Sequence, residues 1–153
     1  MESARPAGAE DLGRCVELID EALGALRARR GGRLLVVELA GKDGAAALVE
    51  RFTSRGGRLV VGCFEDSMVG LGAGSLHDAD AARIGRIELI YVEPAARGVG
   101  VGRAITESLL AWFHESGCGG IDALALPGDR ATKQLFEASH FKTRLLVLHR
   151  PIE

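Results

Sequence analysis

Leu12, Cys15, Val16, Ile19, Leu23 and Leu26 recur at three- and four-residue spacing, with Asp11, Arg14, Glu17, Asp20 and Glu21 elsewhere. That period predicts an amphipathic helix from about Glu10, closed by Arg27, Arg29 and Arg30 and stopped by Gly31-Gly32. The arginine cluster reads as a helix end facing solvent. Before the helix, Ser3 to Ala7 is a short strand that Pro6 confines to an edge or an end. Arg33 to Ala40 has strand composition, but its apolar run also suits a buried helical turn. Asp43 to Arg55 reads as a helix with Ala46, Leu48, Val49 and Phe52 as its apolar members.

The period then changes to two. Leu59 to Phe64 and Met68 to His77 form a hairpin around Glu65-Asp66-Ser67. Gly70, Gly72 and Gly74 alternate with Val69, Leu71 and Ala73, so something bulky packs on that face, either a helix or a substrate. Asp78 to Arg83 reads as a polar loop. Ile87 to Val92 is a core strand, stopped by Pro94. Arg97 to Gly102 then alternates glycine with valine and leads into a helix whose apolar face is Val101, Ile105, Leu109, Trp112 and Phe113. Gly117 ends that helix. Ile121 to Leu126 is a short strand, Asp129 caps a helix to about Ser139, and Thr143 to Arg150 closes the chain as a last strand. Strands alternating with helices around one hairpin place the chain in the α/β or α+β class, a mixed sheet flanked by helices.

Composition narrows the setting. At 153 residues the chain is most simply one domain, residues 1–153. A net charge of −2 gives no global case for nucleic acid or an anionic membrane. No apolar run approaches the ~20 residues of a membrane span, and the N-terminus lacks a signal-peptide layout. Cys15, Cys63 and Cys118 lie far apart in apolar settings and fit neither a disulfide framework nor a metal site. They read as small core hydrophobes in a reduced, cytoplasmic protein.

The candidate chemistry lies in the glycine loop. Glycines let a backbone curl tightly and let a ligand approach its N–H groups. The following helix adds the positive end of its dipole, so the loop reads as an anion site for phosphate or pyrophosphate. The phosphate loop of nucleotide triphosphatases requires Gly-Lys-Ser/Thr, which is absent here, and the dinucleotide fingerprint fails at its third glycine. The spacing that fits is Arg97-x-x-Gly100-x-Gly102, after a strand ending Tyr91-Val92-Glu93-Pro94 and before an amphipathic helix.

With that motif the sequence resembles the GNAT N-acetyltransferase family. The resemblance extends to Asp129-Arg-Ala-Thr132-Lys-Gln-Leu135-Phe136-Glu137-Ala-Ser-His140-Phe141. The family's usual asparagine, tyrosine and glycine are here Asp129, Phe136 and His140. The resemblance implies the family's fold, a mixed and mostly antiparallel central sheet flanked by helices. It also implies an acetyl-CoA-dependent N-acetyltransferase acting on a primary amine of a small molecule or a protein. The amides of Arg97, Gly98, Val99, Gly100, Val101 and Gly102 would hold the pyrophosphate of coenzyme A, with Arg97 and Arg103 adding charge-assisted contacts. Asp129 and Lys133, at the start of the last helix, join the expected cofactor-binding set. The strand around Ile90, Tyr91 and Val92 would splay from the next strand to take the pantetheine arm, and a free amide there would polarise the acetyl carbonyl.

Glu88, a carboxylate in an otherwise apolar strand, is the candidate general base, since an amine with a pKa of about 10.4 arrives charged. Burial would raise such a carboxyl toward working pH. Its bland alternative is a salt bridge, for example to Arg86. Phe136 cannot act as the acid that a tyrosine supplies in many relatives; water, Tyr91 or a substrate group would substitute. The alternative function is a catalytically silent acyl-CoA-binding or sensing module. The acceptor, and whether the acyl group is acetyl or longer, are not written in the sequence. Exposed edge strands leave room for a homodimer.

Overall fold

A computed structural model describes residues 1–153. The chain runs β1 (Glu2–Pro6), α1 (Leu12–Arg27), α2 (Gly32–Ala40), α3 (Ala45–Thr53), β2 (Gly57–Phe64), β3 (Ser67–Ala79), β4 (Ala82–Val92), α4 (Val101–Glu115), β5 (Gly120–Ala123) and α5 (Arg130–Ala138). One sheet in the order β1-β2-β3-β4-β5 joins the strands. Its pairs are antiparallel except β4 with β5. This is the mixed, mostly antiparallel sheet flanked by helices that the pattern predicts.

Each face of the sheet has its own apolar layer. Leu59, Val61 and Leu71 meet Leu18, Ile19 and Phe52 from α1 and α3, with Val36 and Leu39 of α2 in the same cluster. Val60 and Ile87 turn the other way, onto Ile105, Leu109 and Phe113 of α4. A strand buried on both faces needs the continuous apolar run found in Leu59-Val60-Val61, not strict alternation. The α2 segment was open between strand and helix in the sequence; Val36, Leu39 and Ala40 fall on one buried face, and the helix wins.

The repeated glycines form the bed of α4. A Cβ added to Gly72 would stand 2.4 Å from Ile105 Cγ2, and one on Gly85 would stand 2.4 Å from Phe113 Cδ1. The bulky neighbour is therefore a helix, not a substrate. Removing side chains from this face of the sheet lets α4 settle against backbone, which fixes where its N-terminus lies.

Three expectations are corrected. The polar loop at Asp78 to Arg83 is mostly strand: Asp78 pairs with Arg83 and Ala79 with Ala82, leaving only Asp80 and Ala81 as the turn. Two-residue hairpin turns of this kind favour positive φ, and Asp80 has φ 52°. The strand expected over Ile121 to Leu126 ends at Ala123, because its pairing with β4 stops at Ile87–Ala123. The last strand expected over Thr143 to Arg150 does not form. Residues 142–153 have no regular structure, and their backbone makes no hydrogen bond within the chain. No sheet edge with covered faces is available for so apolar a segment.

Candidate functional site

The end of the β4–β5 pairing opens the sheet. Opposite β3, the register slips between Ala73 and Gly74, leaving Glu88 without a partner. Such a bulge bends its strand and strengthens the local twist. Beyond it, β4 continues to Val92 while nothing pairs with its outer edge. Glu93 N–H donates to Val69 O on β3 at 2.8 Å. By strand alternation Tyr91 directs its backbone to β3 as well, and Ile90 and Val92 direct theirs into the gap.

The loop after β4 supplies the donors. Gly98 and Gly100 have φ of 83° and 92°, left-handed conformations that glycine adopts without steric cost. The first bond of α4 runs from Ala104 N–H to Gly100 O at 3.0 Å. The six consecutive N–H groups of Gly98, Val99, Gly100, Val101, Gly102 and Arg103 therefore meet no acceptor within the protein. They cluster at the positive end of a 15-residue helix, an arrangement suited to a phosphate-type anion. The Arg97 amide is not among them, because it bonds to Pro94 O at 3.4 Å in the preceding turn. The expected donor run thus starts one residue later.

The gap and the loop share one cavity of about 310 Å³. Ile90, Tyr91 and Val92 form its strand wall; Arg97, Gly98, Gly100, Val101, Gly102 and Arg103 form its loop wall; Asp129 closes it from α5. Val99 and Lys133 are exposed and do not line it. The Asp129 carboxylate already accepts from Thr132 N–H at 3.1 Å and Thr132 Oγ1–H at 2.7 Å, so it caps α5. Arg97 Nε–H donates to Val92 O at 2.9 Å, and its guanidinium carbon lies 5.8 Å from the centre of the Tyr91 ring. Arg103 Nε–H donates to Glu107 at 3.0 Å on the exposed side of α4.

Sequence reasoning missed the remaining wall. Ala22, Ala25, Leu26 and Arg29 of the α1 end line the cavity. Arg29 reaches across to α5, donating to Gly128 O at 3.4 Å with its other nitrogen 3.9 Å from Asp129. The arginine cluster is thus only partly a solvent-facing helix end. The small residues Ala22 and Ala25 beside Leu26 were the available signal.

Glu88 stands at the edge of this arrangement. Its side chain is only 10% exposed, and its Oε2 accepts from Arg51 of α3 at 3.0 Å. Its Oε1 is buried without a hydrogen bond, 3.6 Å from Arg86 Nε. The carboxylate does not line the cavity, although the next residue, Leu89, does. Tyr91 O–H donates to Glu21 at 3.3 Å. Burial, with the nearby Glu21 carboxylate, pushes the Tyr91 phenol up from its ordinary value. Phe136 is buried against Phe141, ring centres 5.4 Å apart, and offers no polar atom.

Comparison with known proteins places this geometry. A comparison with curated proteins finds no match. Among solved structures, the tetramutant of the BH1408 protein of Bacillus halodurans superposes with a TM-score of 0.81 at 15% identity, over 97% of this chain and 99% of its own. The aminoglycoside N-acetyltransferase AAC(6')-Iy, in complex with CoA, gives 0.75 at 16% identity, over 99% and 95%. An acetyltransferase of Trypanosoma brucei gives 0.69 at 20% identity, over 99% and 100%. These likenesses are of fold. The acetyltransferase (GNAT) family model matches residues 42–141, which hold the split strands, the glycine loop and α5. The chain belongs to the acetyltransferase (GNAT) family.

Proposed function

We propose that the protein is an acetyl-CoA-dependent N-acetyltransferase that acetylates a primary amine. The observation that carries this reading is the run of six unpaired amides, Gly98 to Arg103, placed where β4 and β5 part. A pyrophosphate needs that density of donors, and an extended pantetheine arm needs an unpaired strand edge of the kind Ile90 and Val92 present. The solved AAC(6')-Iy complexes with CoA and with a bisubstrate analogue lend support at the level of fold.

When bound, acetyl-CoA supplies the acetyl group as a thioester. The chain does the rest. Gly98 to Arg103 cradle the pyrophosphate, and Arg97 and Arg103 add positive charge to the same wall. The backbone N–H of Ile90 or Val92 would meet the carbonyl oxygen and stabilise charge that builds there. Glu88 takes the proton of the attacking amine through water, since its carboxylate stands outside the cavity. Tyr91 is the single tyrosine of the chain and the phenol on the cavity wall. A phenol is protonated at neutral pH, and its O–H, now donated to Glu21, would serve as the donor that Phe136 cannot supply. A thiol of pKa about 8.5 leaves with modest help.

Release of free thiol from acetyl-CoA in the presence of a panel of primary amines tests the proposal. Amine-dependent release is the expected result. Binding without turnover on any amine would point instead to an acyl-CoA-sensing module, the reading that Phe136 favours. Failure of acetyl-CoA to raise the melting temperature would remove both readings.

A further inference from the structure

Two side chains beside the split in the sheet leave polar atoms unused. Glu88 Oε1 is buried without a hydrogen bond, in a side chain only 10% exposed. An orphaned carboxylate oxygen costs free energy until a donor reaches it. Arg86 Nε stands 3.6 Å away, inside ion-pair range and too far for a hydrogen bond. The carboxylates around Arg86 are bonded to other arginines. Glu88 Oε2 accepts from Arg51 at 3.0 Å, and the two Asp122 oxygens accept from Arg144 at 2.8 and 2.5 Å. The Arg86 guanidinium is 40% exposed, with donors to spare.

Their placement puts these atoms next to the reacting end of the cleft. Ile87, Ile121 and Ala123 turn onto α4, so Arg86 and Asp122 project from the opposite face of the sheet. Arg86 lies between Ser75 of β3 and Asp122 of β5, in the row just before β4 and β5 part at Ile87–Ala123. Glu88 follows in the bulge, on the same face, where Arg51 of α3 meets it. Three guanidinia and two carboxylates share this floor. A bare amine suits only its negative groups. An amine that carries its own negative charge suits both signs.

We infer that Arg86 selects the acceptor, an α-amino acid whose carboxylate binds the Arg86 guanidinium while its amine faces Glu88 Oε1. The 3.6 Å between Arg86 Nε and Glu88 Oε1 fits an amine and a carboxylate borne on one carbon. A planar guanidinium takes a carboxylate through two parallel hydrogen bonds. Engaging the ligand draws Arg86 outward and uncovers Oε1, so the base is presented only to amines that also satisfy Arg86. The inference rests on the proposed transferase reading for its reaction, and on Arg86 and Glu88 for its ligand. An ammonium loses two protons on becoming an amide. One reaches Glu88 through water and is released. The other goes to the thiolate that leaves as the N–C bond forms and the C–S bond breaks.

The test is NMR titration of the ¹⁵N-labelled chain, with and without coenzyme A, using the standard α-amino acids and their α-amides. The reporter is the Arg86 Nε–H resonance, assigned by its loss in Arg86→Gln and Arg86→Lys. At least one amino acid should shift it saturably, and the matching amide should bind about tenfold more weakly or worse, the loss of a charge-assisted contact. Arg86→Gln should erase that preference, read on the β4 amides, and Arg86→Lys should keep part of it. Both variants should retain the wild-type far-UV circular dichroism. Thiol release from acetyl-CoA, measured in parallel, separates two failures. Preferential binding without turnover contradicts the transferase reading and upholds Arg86 as the carboxylate receptor. An unshifted Arg86 resonance, or equal binding of amino acid and amide, overturns the inference whatever the activity.

Discussion

Arg97 Nε–H donates to the carbonyl of Val92 at 2.9 Å, tying the first residue of the glycine loop to the last residue of the strand before it. The strand edge and the anion loop are therefore held in one frame, and the guanidinium face rests near Tyr91. Arg97→Ala should weaken acetyl-CoA binding by about tenfold or more, the loss expected for a charge-assisted contact worth about 1.5–3 kcal/mol. Arg97→Lys should recover little, because an ammonium cannot bridge carbonyl and phosphate in the same plane. Calorimetric titration measures both. Equal affinities for wild type and the alanine variant would show that the clamp does not shape the site.

Glu88 occupies a bulge and shares its carboxylate with Arg51. If it takes the amine proton, Glu88→Gln should lower kcat about 10²- to 10⁴-fold, with acetyl-CoA affinity nearly unchanged. A merely structural ion pair would instead show reduced stability and an unaltered kcat. Arg51→Ala separates the two: it breaks the pair and leaves the carboxylate in place.

The glycine bed is testable through stability. Gly72→Ala places a methyl 2.4 Å from Ile105 Cγ2, so α4 must shift or Ile105 must leave its rotamer. The expected loss is about 1–3 kcal/mol. Combining it with Ile105→Ala should give less than the sum of the two single losses, measured by urea unfolding of all four proteins.

Asp11 anchors the start of α1. It accepts from Arg5 at 2.6 and 3.0 Å and from Gly8 N–H at 2.7 Å. The Arg5 hydrogen bond, then the Gly8 amide, hold its carboxyl at about 2, below its ordinary 3.8. A depressed carboxyl stabilises the fold above its unfolded pKa and loses that contribution as pH falls through its folded value. Asp11→Asn should therefore destabilise the protein at pH 7, and the difference from wild type should shrink between pH 4 and 2. Urea midpoints across that range decide it; a constant difference would mean the charge is not involved.

Much of this fold is legible in the residues, and the exceptions have physical causes. The helical periods of α1 and α4 and the loop Arg97-x-x-Gly100-x-Gly102 depend on local spacing, and the structure keeps them. The loop's six donors follow from two left-handed glycines and a helix start, all of them local. Arg29 and the α1 end were not legible as site wall, because nothing near them in sequence reveals that they cross to Gly128, about a hundred residues away. The β5 strand and the tail failed for a related reason: apolar composition announces a strand, but pairing needs a partner edge with covered faces. His140, just past α5, has φ 70°, a left-handed conformation that glycine adopts at less cost in strain.

In the proposed function the amides from Gly98 to Arg103, with those of Ile90 and Val92, receive acetyl-CoA. Amide-resolved NMR of the ¹⁵N-labelled chain during titration with acetyl-CoA tests it most directly. The largest shifts should fall at Gly98 to Arg103, with further shifts at Ile90 and Val92, and little change at Glu93, whose amide is already bonded to β3. No shifts at saturating acetyl-CoA, or shifts centred elsewhere on the fold, would contradict it.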